Sequence, residues 1–264
     1  MLKKLLRYGA MNTLAMTLLI GCSVGIQEKT VAQEQTAQAS TSSGIEAGTI
    51  TGTVVFEGKA PKMRPLPVES DPHCVRLRDG DPLLTDTLIF GEGQSMANVI
   101  VHVVSNLPAV DHPVPTEPVV LSQHGCQYAP HVFALQAGQN IQIENPDGIN
   151  HNVHLLPEAN REMNRAMANA KAKFIYKAAK AEKEPFTIKC DVHSWMKAYC
   201  AVFDHPYFAV TKLDGSFTIK GLPPGTYDVE TWHEIKGLGI RKATVTLEEG
   251  KGAEIKFTYA RPTR

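Results

Sequence analysis

The sequence predicts an all-β chain built as two β sandwiches with one short helical insertion. Three observations predict it. Asn98 to Val104 reads N-V-I-V-H-V-V, the nearly continuous β-branched run expected of a buried strand. The tail from Ser216 to Tyr259 holds strands that alternate apolar and polar side chains, with turn signals at Asp214-Gly215 and Pro223-Pro224-Gly225. Between these regions lie many more short β runs, each bounded by glycine or proline.

The first twenty-two residues read differently. Lys3, Lys4 and Arg7 precede an apolar run from Met11 to Ile20, too short to span a bilayer as a mature helix. The run ends in Leu19-Ile20-Gly21-Cys22, which resembles a bacterial lipobox, cut before a cysteine whose thiol is then lipidated. An ordinary secretory signal containing a cysteine is the alternative. Either reading exports the protein to the periplasm or outer cell envelope, and a lipid on Cys22 would tie it to a membrane surface without crossing it. Residues 23–47 are rich in Gln, Ala, Ser and Thr and read as a disordered tether. The chain's 27 basic and 27 acidic residues balance, and losing the three N-terminal cations leaves a net charge of −3. Such a surface argues against a nucleic-acid partner.

Strands are expected from Thr49 to Phe56, Val119 to Leu121, His131 to Leu135, Asn140 to Ile143, Phe186 to Lys189 and Ala198 to Phe203. Four more follow at Ser216 to Ile219, Tyr227 to Trp232, Lys242 to Leu247 and Ala253 to Tyr259. Between Glu158 and Lys183 the composition favours a helix. Met163, Met167, Ala170 and Phe174 would share one face of it, more as packing than as metal ligands. Lys171, Lys173, Lys177, Lys180 and Lys183 read as a solvated face, with an acidic redox partner's docking patch as the sharper alternative.

The densest chemistry lies in Cys190-Asp191-Val192-His193-Ser194-Trp195-Met196. One loop between two β runs offers a thiolate, an imidazole and a thioether, each two residues from the next. A type 1 copper ion takes a soft thiolate, two imidazoles and a weak axial thioether. The second imidazole should come from upstream, where a polar turn, Asn145 to Asn150, leads into His151-Asn152-Val153-His154. In a strand His151 and His154 point to opposite faces, so only one should meet the metal. A structural zinc site or a degenerate site would use similar residues, although Met196 disfavours zinc.

Together H-N-V-H and C-x2-H-x2-M resemble the amicyanin branch of the cupredoxins, Greek-key β sandwiches related to plastocyanin. The resemblance implies copper ligands His151, Cys190, His193 and Met196. It also implies a bond from the Asn152 backbone N–H to the Cys190 sulfur, and an electron exit through a near-surface His193. Trp195 would shield the copper. The implied function is single-electron transfer by Cu(II)/Cu(I) cycling with a redox partner protein, such as a c-type cytochrome or an oxidoreductase, and no enzymatic activity of its own. A cell-envelope copper-handling protein and a structural surface module with a degenerate site are the alternatives. No serine-hydrolase elbow, phosphate loop or H-E-x-x-H motif is present.

Of the remaining cysteines, Cys74 and Cys126 are expected to pair as a disulfide, with two buried thiols as the alternative; Cys200 reads as a core thiol. A second metal site using His73, His124 or His131 is the minor option. His131 reads as a satisfied core histidine, and His233 as a surface residue. Thr211 to Val229, T-K-L-D-G-S-F-T-I-K-G-L-P-P-G-T-Y-D-V, resembles the carboxypeptidase regulatory-like domain, a small transthyretin/Ig-like sandwich. Gly52-Thr53-Val54 and Asn98 to Val104 fit that family's opening strands. The expected organisation is then a regulatory-like sandwich from 48–110 and 206–264, with the copper domain, 111–205, inserted between. A tandem order, with the copper domain from Gly48 to Asp204 and a separate tail domain, is the alternative.

Overall fold

The computed structural model describes residues 40–42, 46 and 48–261. The expected signal, Cys22 and most of the expected tether lie outside these residues. The strands make four sheets and the protein is all-β.

Two sheets draw on both ends of the described chain. In the first, Ser40–Ser42, Gly252–Ala260, Ile50–Glu57 and Ser216–Ile219 lie side by side in that order. In the second the order is Phe208–Val210, Ile100–Val103, Gly225–Trp232 and Arg241–Leu247. Alternation packs them face to face. Arg241–Leu247 buries every other residue, and Ile50, Gly52, Val54 and Phe56 point inward from their strand. Gly52 is needed there, because a Cβ would stand 2.1 Å from the Ile255 carbonyl oxygen and 2.6 Å from the Phe217 ring. Ile50, Val54, Val101, Phe217, Val229, Val245 and Phe257 share one core between the two sheets.

The chain from 119 to 203 builds the other two sheets. One has the order Lys173–Lys177, Asn140–Glu144, Val119–Gln123, Tyr128–Ala129. The other has Val132–Gln136, Lys197–Phe203, Phe186–Lys189, His151–Leu156, Met163–Met167. Leu121, Ile143, Leu155, Ile188 and Val202 fill their common core. This stretch leaves and rejoins the first pair of sheets at neighbouring strands, since Ile100 pairs with Val210 and His102 with Phe208.

Between Ile50–Glu57 and Ile100–Val103 the chain makes a long excursion. It carries a 3-10 turn, Val68–Ser70, and a six-residue helix, Pro72–Leu77, capped by Asp71, which accepts a hydrogen bond from the His73 N–H at 2.8 Å. Val68, Cys74 and Leu83 are buried in the core of the sheets built by 119–203. The excursion therefore covers the end of that sandwich where the candidate ligands lie.

Two expectations are corrected here. Residues 158–183 hold no helix; they form strands Met163–Met167, paired with His151–Leu156, and Lys173–Lys177, paired with Asn140–Glu144. Free sheet edges captured residues whose propensity is weakly helical. Inward pointing follows period two, through Ala172, Phe174, Tyr176 and Ala178, and Ala170 is exposed. Ser40–Ser42, inside the expected tether, lies as an edge strand against Gly252–Glu254.

The two sandwiches meet through Ile100, Val132 and Ala201, with Tyr199, Phe203 and Trp232 packed around them. His131 pins this junction. Its Nε2–H donates to Glu234 at 2.5 Å, and its Nδ1–H faces Asp86 at 3.0 Å and the Lys197 carbonyl at 3.0 Å. Both ring nitrogens face acceptors, so the ring is held as imidazolium. Burial works against that charge, but Asp86 and Glu234 outweigh it and raise the His131 pKa to about 9. His233 is also corrected: it is only 5% exposed, and accepts from the Ile235 N–H at 3.1 Å. Burial, with the nearby His131 charge, pushes it down to about 4.

A raised pKa in the folded state makes His131 stabilising below its unfolded value near 6.5, and that contribution fades as pH rises through about 9. Its full size is about 3 kcal/mol, on the order of 1.4 kcal/mol per pKa unit. Urea unfolding of wild type and His131→Asn across pH 6 to 10 should show the stability difference shrinking between these values. A difference independent of pH would refute the charged assignment.

Candidate metal centre

His151 opens the strand His151–Leu156, and Cys190 and His193 sit in the loop between Phe186–Lys189 and Lys197–Phe203. Adjacent strands in one sheet thus bring them together across about forty residues. One ligand atom from each lies within 4.8 Å of the others, and all three residues are buried. The two ring Nδ1 atoms face each other at 3.0 Å, and the Cys190 Sγ lies 3.9 Å from the His193 Nδ1.

The loop is tightly closed. The Met196 N–H donates to the His193 carbonyl at 2.9 Å, and the Cys190 N–H to the Met196 carbonyl at 3.2 Å. Two backbone N–H groups, of Asn152 and His193, point at the Cys190 sulfur at 3.4 Å each. Met196 is 1% exposed and shares the buried core with Cys190. The Asn152 side chain ties the loop to its neighbours, accepting from the Asp191 N–H and donating to Asn164. His154 points to the other face, as strand alternation requires, between Asp191 and Glu162.

Both imidazoles are held from behind by carboxylates. The His151 Nε2–H donates to Asp147 at 2.8 Å, and the His193 Nε2–H to Asp71 at 2.9 Å. Asp147 also accepts from the backbone N–H groups of Gly125 and Cys126, at 2.7 and 2.8 Å. Those two residues take left-handed backbone angles, φ 61° and 56°, which turn both N–H groups onto the one carboxylate. Cys74 and Cys126 form a disulfide beside this cluster, with the Cys74 sulfur 3.7 Å from the His193 Nε2. Trp195 packs on His193 with ring centroids 5.0 Å apart, and its indole N–H donates to the Cys126 carbonyl at 3.1 Å.

The electrostatics follow from these contacts. Burial pushes the Cys190 thiol up, but hydrogen bonds from His151, His193 and the two backbone N–H groups bring it down to about 6. Burial pushes both imidazoles down, and the anions around them reverse it; His151 is raised by Asp147 and Cys190, His193 by Cys190 and Asp71. The His193 hydrogen bond holds Asp71 down to about 2. Three anionic groups thus converge on two imidazoles.

That donor set fits a metal ion. A carboxylate at neutral pH only accepts hydrogen bonds, so each Nε2 carries its proton and a neutral ring leaves its Nδ1 lone pair bare. The Nδ1 pair at 3.0 Å beside the thiolate therefore holds a positive charge between its atoms, a shared proton in the metal-free site or a metal ion in its place. A soft thiolate with two imidazoles suits copper or zinc.

The expected near-surface position of His193 is corrected. The ring is 2% exposed, because Asp71 and Cys74 from the excursion lie over its outer edge. Asp71, Asp147 and Tyr128 were not singled out in the sequence. The Tyr128 hydroxyl donates to the carbonyls of Asn152, at 2.5 Å, and Lys189, at 3.1 Å, joining the backbones that carry two candidate ligands. Cys200 is fully buried, and burial raises its thiol well above the usual range. His73 and His124 are exposed, paired with Asp71 and Asp147 respectively.

Fold and site define an all-β protein whose inner sandwich closes a Cys-His-His cluster at one end. Its neighbours among solved structures are cupredoxins, matched at low identity over about 39% of the chain. A Cu-containing nitrite reductase from Thermus scotoductus SA-01 is 16% identical with a TM-score of 0.31, over 39% of this chain and 25% of that one. The chain thus spans only a quarter of that reductase. Amicyanin from Paracoccus versutus is 21% identical, TM-score 0.29, over 39% and 96% of the two chains. A purple cupredoxin from Nitrosopumilus maritimus is 15% identical, TM-score 0.26, over 32% and 98%. No protein-family model matches the chain, and no curated protein does.

Proposed function

We propose that this chain is an exported type 1 copper protein that passes single electrons. The observation that carries the reading is the pair of Nδ1 atoms facing each other at 3.0 Å beside a thiol whose pKa is brought down to about 6. His151, His193 and Cys190 would hold the ion, with the buried Met196 in the same loop as a further, weak donor. When bound, copper supplies one-electron chemistry between Cu(II) and Cu(I). The protein's own part is rigidity. Tyr128, Asn152 and the loop hydrogen bonds fix the donors, so little rearranges when charge changes. The buried disulfide suits an oxidising compartment and so supports export; a lipid anchor at Cys22 rests on the lipobox-like run alone. The second sandwich, with its likeness to carboxypeptidase regulatory-like domains, would space the copper module from the membrane. A c-type cytochrome or an oxidoreductase would be the partner, and the chain would have no substrate of its own.

One observation favours a second reading, an envelope protein that binds or stores copper. The outer edge of His193, the expected exit for the electron, is covered by Asp71 and Cys74. Titrating the purified protein with Cu(II) tests both. One equivalent should produce an intense visible band from thiolate-to-copper charge transfer. Rapid, reversible one-electron reduction then supports the carrier, and sluggish reduction the binding protein. A colourless protein that ignores Cu(II) overturns both.

A further inference from the structure

We infer that Asp71 and Asp147 are positioning residues for the two ligand imidazoles, and that the Cys74–Cys126 disulfide locks them into one clasp. The inference rests on the copper reading and adds what sets the site's preference for the oxidised ion.

The two carboxylates come from unrelated places. Asp71 lies in the excursion between Ile50–Glu57 and Ile100–Val103, and Asp147 in the turn before His151. Each nevertheless accepts the Nε2–H of one candidate ligand, at 2.9 and 2.8 Å. Neither is free to swing. Asp71 also caps the helix Pro72–Leu77, through the His73 N–H at 2.8 Å. Asp147 is gripped by the Gly125 and Cys126 N–H groups, and its side chain is 1% exposed. The left-handed angle at Cys126 is disfavoured for a residue with a Cβ. Here it serves to aim an N–H at Asp147.

The disulfide joins these two devices. Cys74 stands three residues after Asp71, in the helix Asp71 caps, and Cys126 supplies one of the amides on Asp147. One covalent link therefore fixes both carboxylates relative to both rings. A fixed carboxylate behind an imidazole does two things. It keeps the proton on Nε2, so that the Nδ1 lone pair is free to bind the ion, and it makes the ring a stronger donor. A stronger donor set with added negative charge favours Cu(II) over Cu(I).

The test uses the full chain with Asp71→Asn and Asp147→Asn. Asn keeps the shape and an accepting oxygen but removes the charge. Cu(II) affinity, measured by competition with a chelator, should fall 10- to 100-fold in each variant. Cu(I) affinity should fall less, so the potential should rise, by about 59 mV for each tenfold difference. Asp71→Glu should recover part of the shift. Because either Asn variant could fold poorly, a second measurement uses wild type loaded with Cu(I). Proton NMR should show both Nε2–H signals far downfield and slow to exchange with water. Unchanged affinity and potential in the variants, or fast-exchanging ring protons in wild type, overturns the inference while wild type still colours with Cu(II). A wild type that binds no copper instead removes the reading beneath it.

Discussion

Replacing Cys190 with Ala will leave the protein colourless when Cu(II) is added. The visible band of a thiolate-bound cupric ion is charge transfer from sulfur to metal, so it vanishes with the sulfur. The hydrogen bonds around this sulfur hold it as a thiolate against the effect of burial. Two backbone N–H groups aim at it from 3.4 Å, and its pKa is brought down to about 6 despite burial. The other cysteines cannot replace it. Cys74 and Cys126 are joined to each other, and Cys200 is buried in the core with its thiol raised well above the usual range. Removing one small buried side chain should cost the metal-free fold little, so circular dichroism of the variant should match wild type. A variant that folds and keeps the visible band would show that sulfur from Cys190 does not bind the metal.

Replacing both Cys74 and Cys126 with Ala should cost about 4 kcal/mol of stability. The bond spans 52 residues of sequence, and the chain-entropy model assigns a loop of that length about that much. Besides the disulfide, the excursion is tied to that sandwich by Asp71 against His193, Asp86 against His131 and Arg78 against the Gly125 carbonyl, with modest apolar burial. Val68, Cys74 and Leu83 are its buried apolar residues there, joined by partly buried Leu66. Without the disulfide the segment should loosen first. Urea unfolding should show a lower midpoint, and amide exchange should rise selectively across residues 65–85. A loss below about 1 kcal/mol would mean the excursion is held by its packing and polar contacts without help from the disulfide.

How much of this was legible follows from where each signal lies. Strands with strict alternation, such as Arg241–Leu247, could be read because one face is buried and the other wet. Residues 158–183 could not, because Ala, Lys, Glu and Met favour a helix and four apolar residues happened to fall at helical spacing. The competing period-two pattern through Ala172, Phe174, Tyr176 and Ala178 was in the sequence, but only available sheet edges make it win. In the site, His151, Cys190, His193 and Met196 sit in two short motifs, and the structure brings the first three within 4.8 Å of one another. Their carboxylate partners split by distance. Asp147 stands four residues before His151, in a turn already marked by proline and glycine. Asp71 lies 122 residues from His193, and nothing local announces the contact. The same holds for His131, whose partners Asp86 and Glu234 come from opposite directions along the chain.

The order of strands in the first sheet has a consequence for biosynthesis. Gly252–Ala260 lies between Ser40–Ser42 and Ile50–Glu57, running parallel to the latter although about two hundred residues separate them. A chain emerging N-terminus first must hold Ile50–Glu57 without this neighbour until nearly all of it has been made. The inner sandwich has all its strands once Phe203 has emerged, so it can close while the outer one still waits. Proteolytic trimming before residue 252 would take out an interior strand and leave the sheet split, however intact the ligand loop remained.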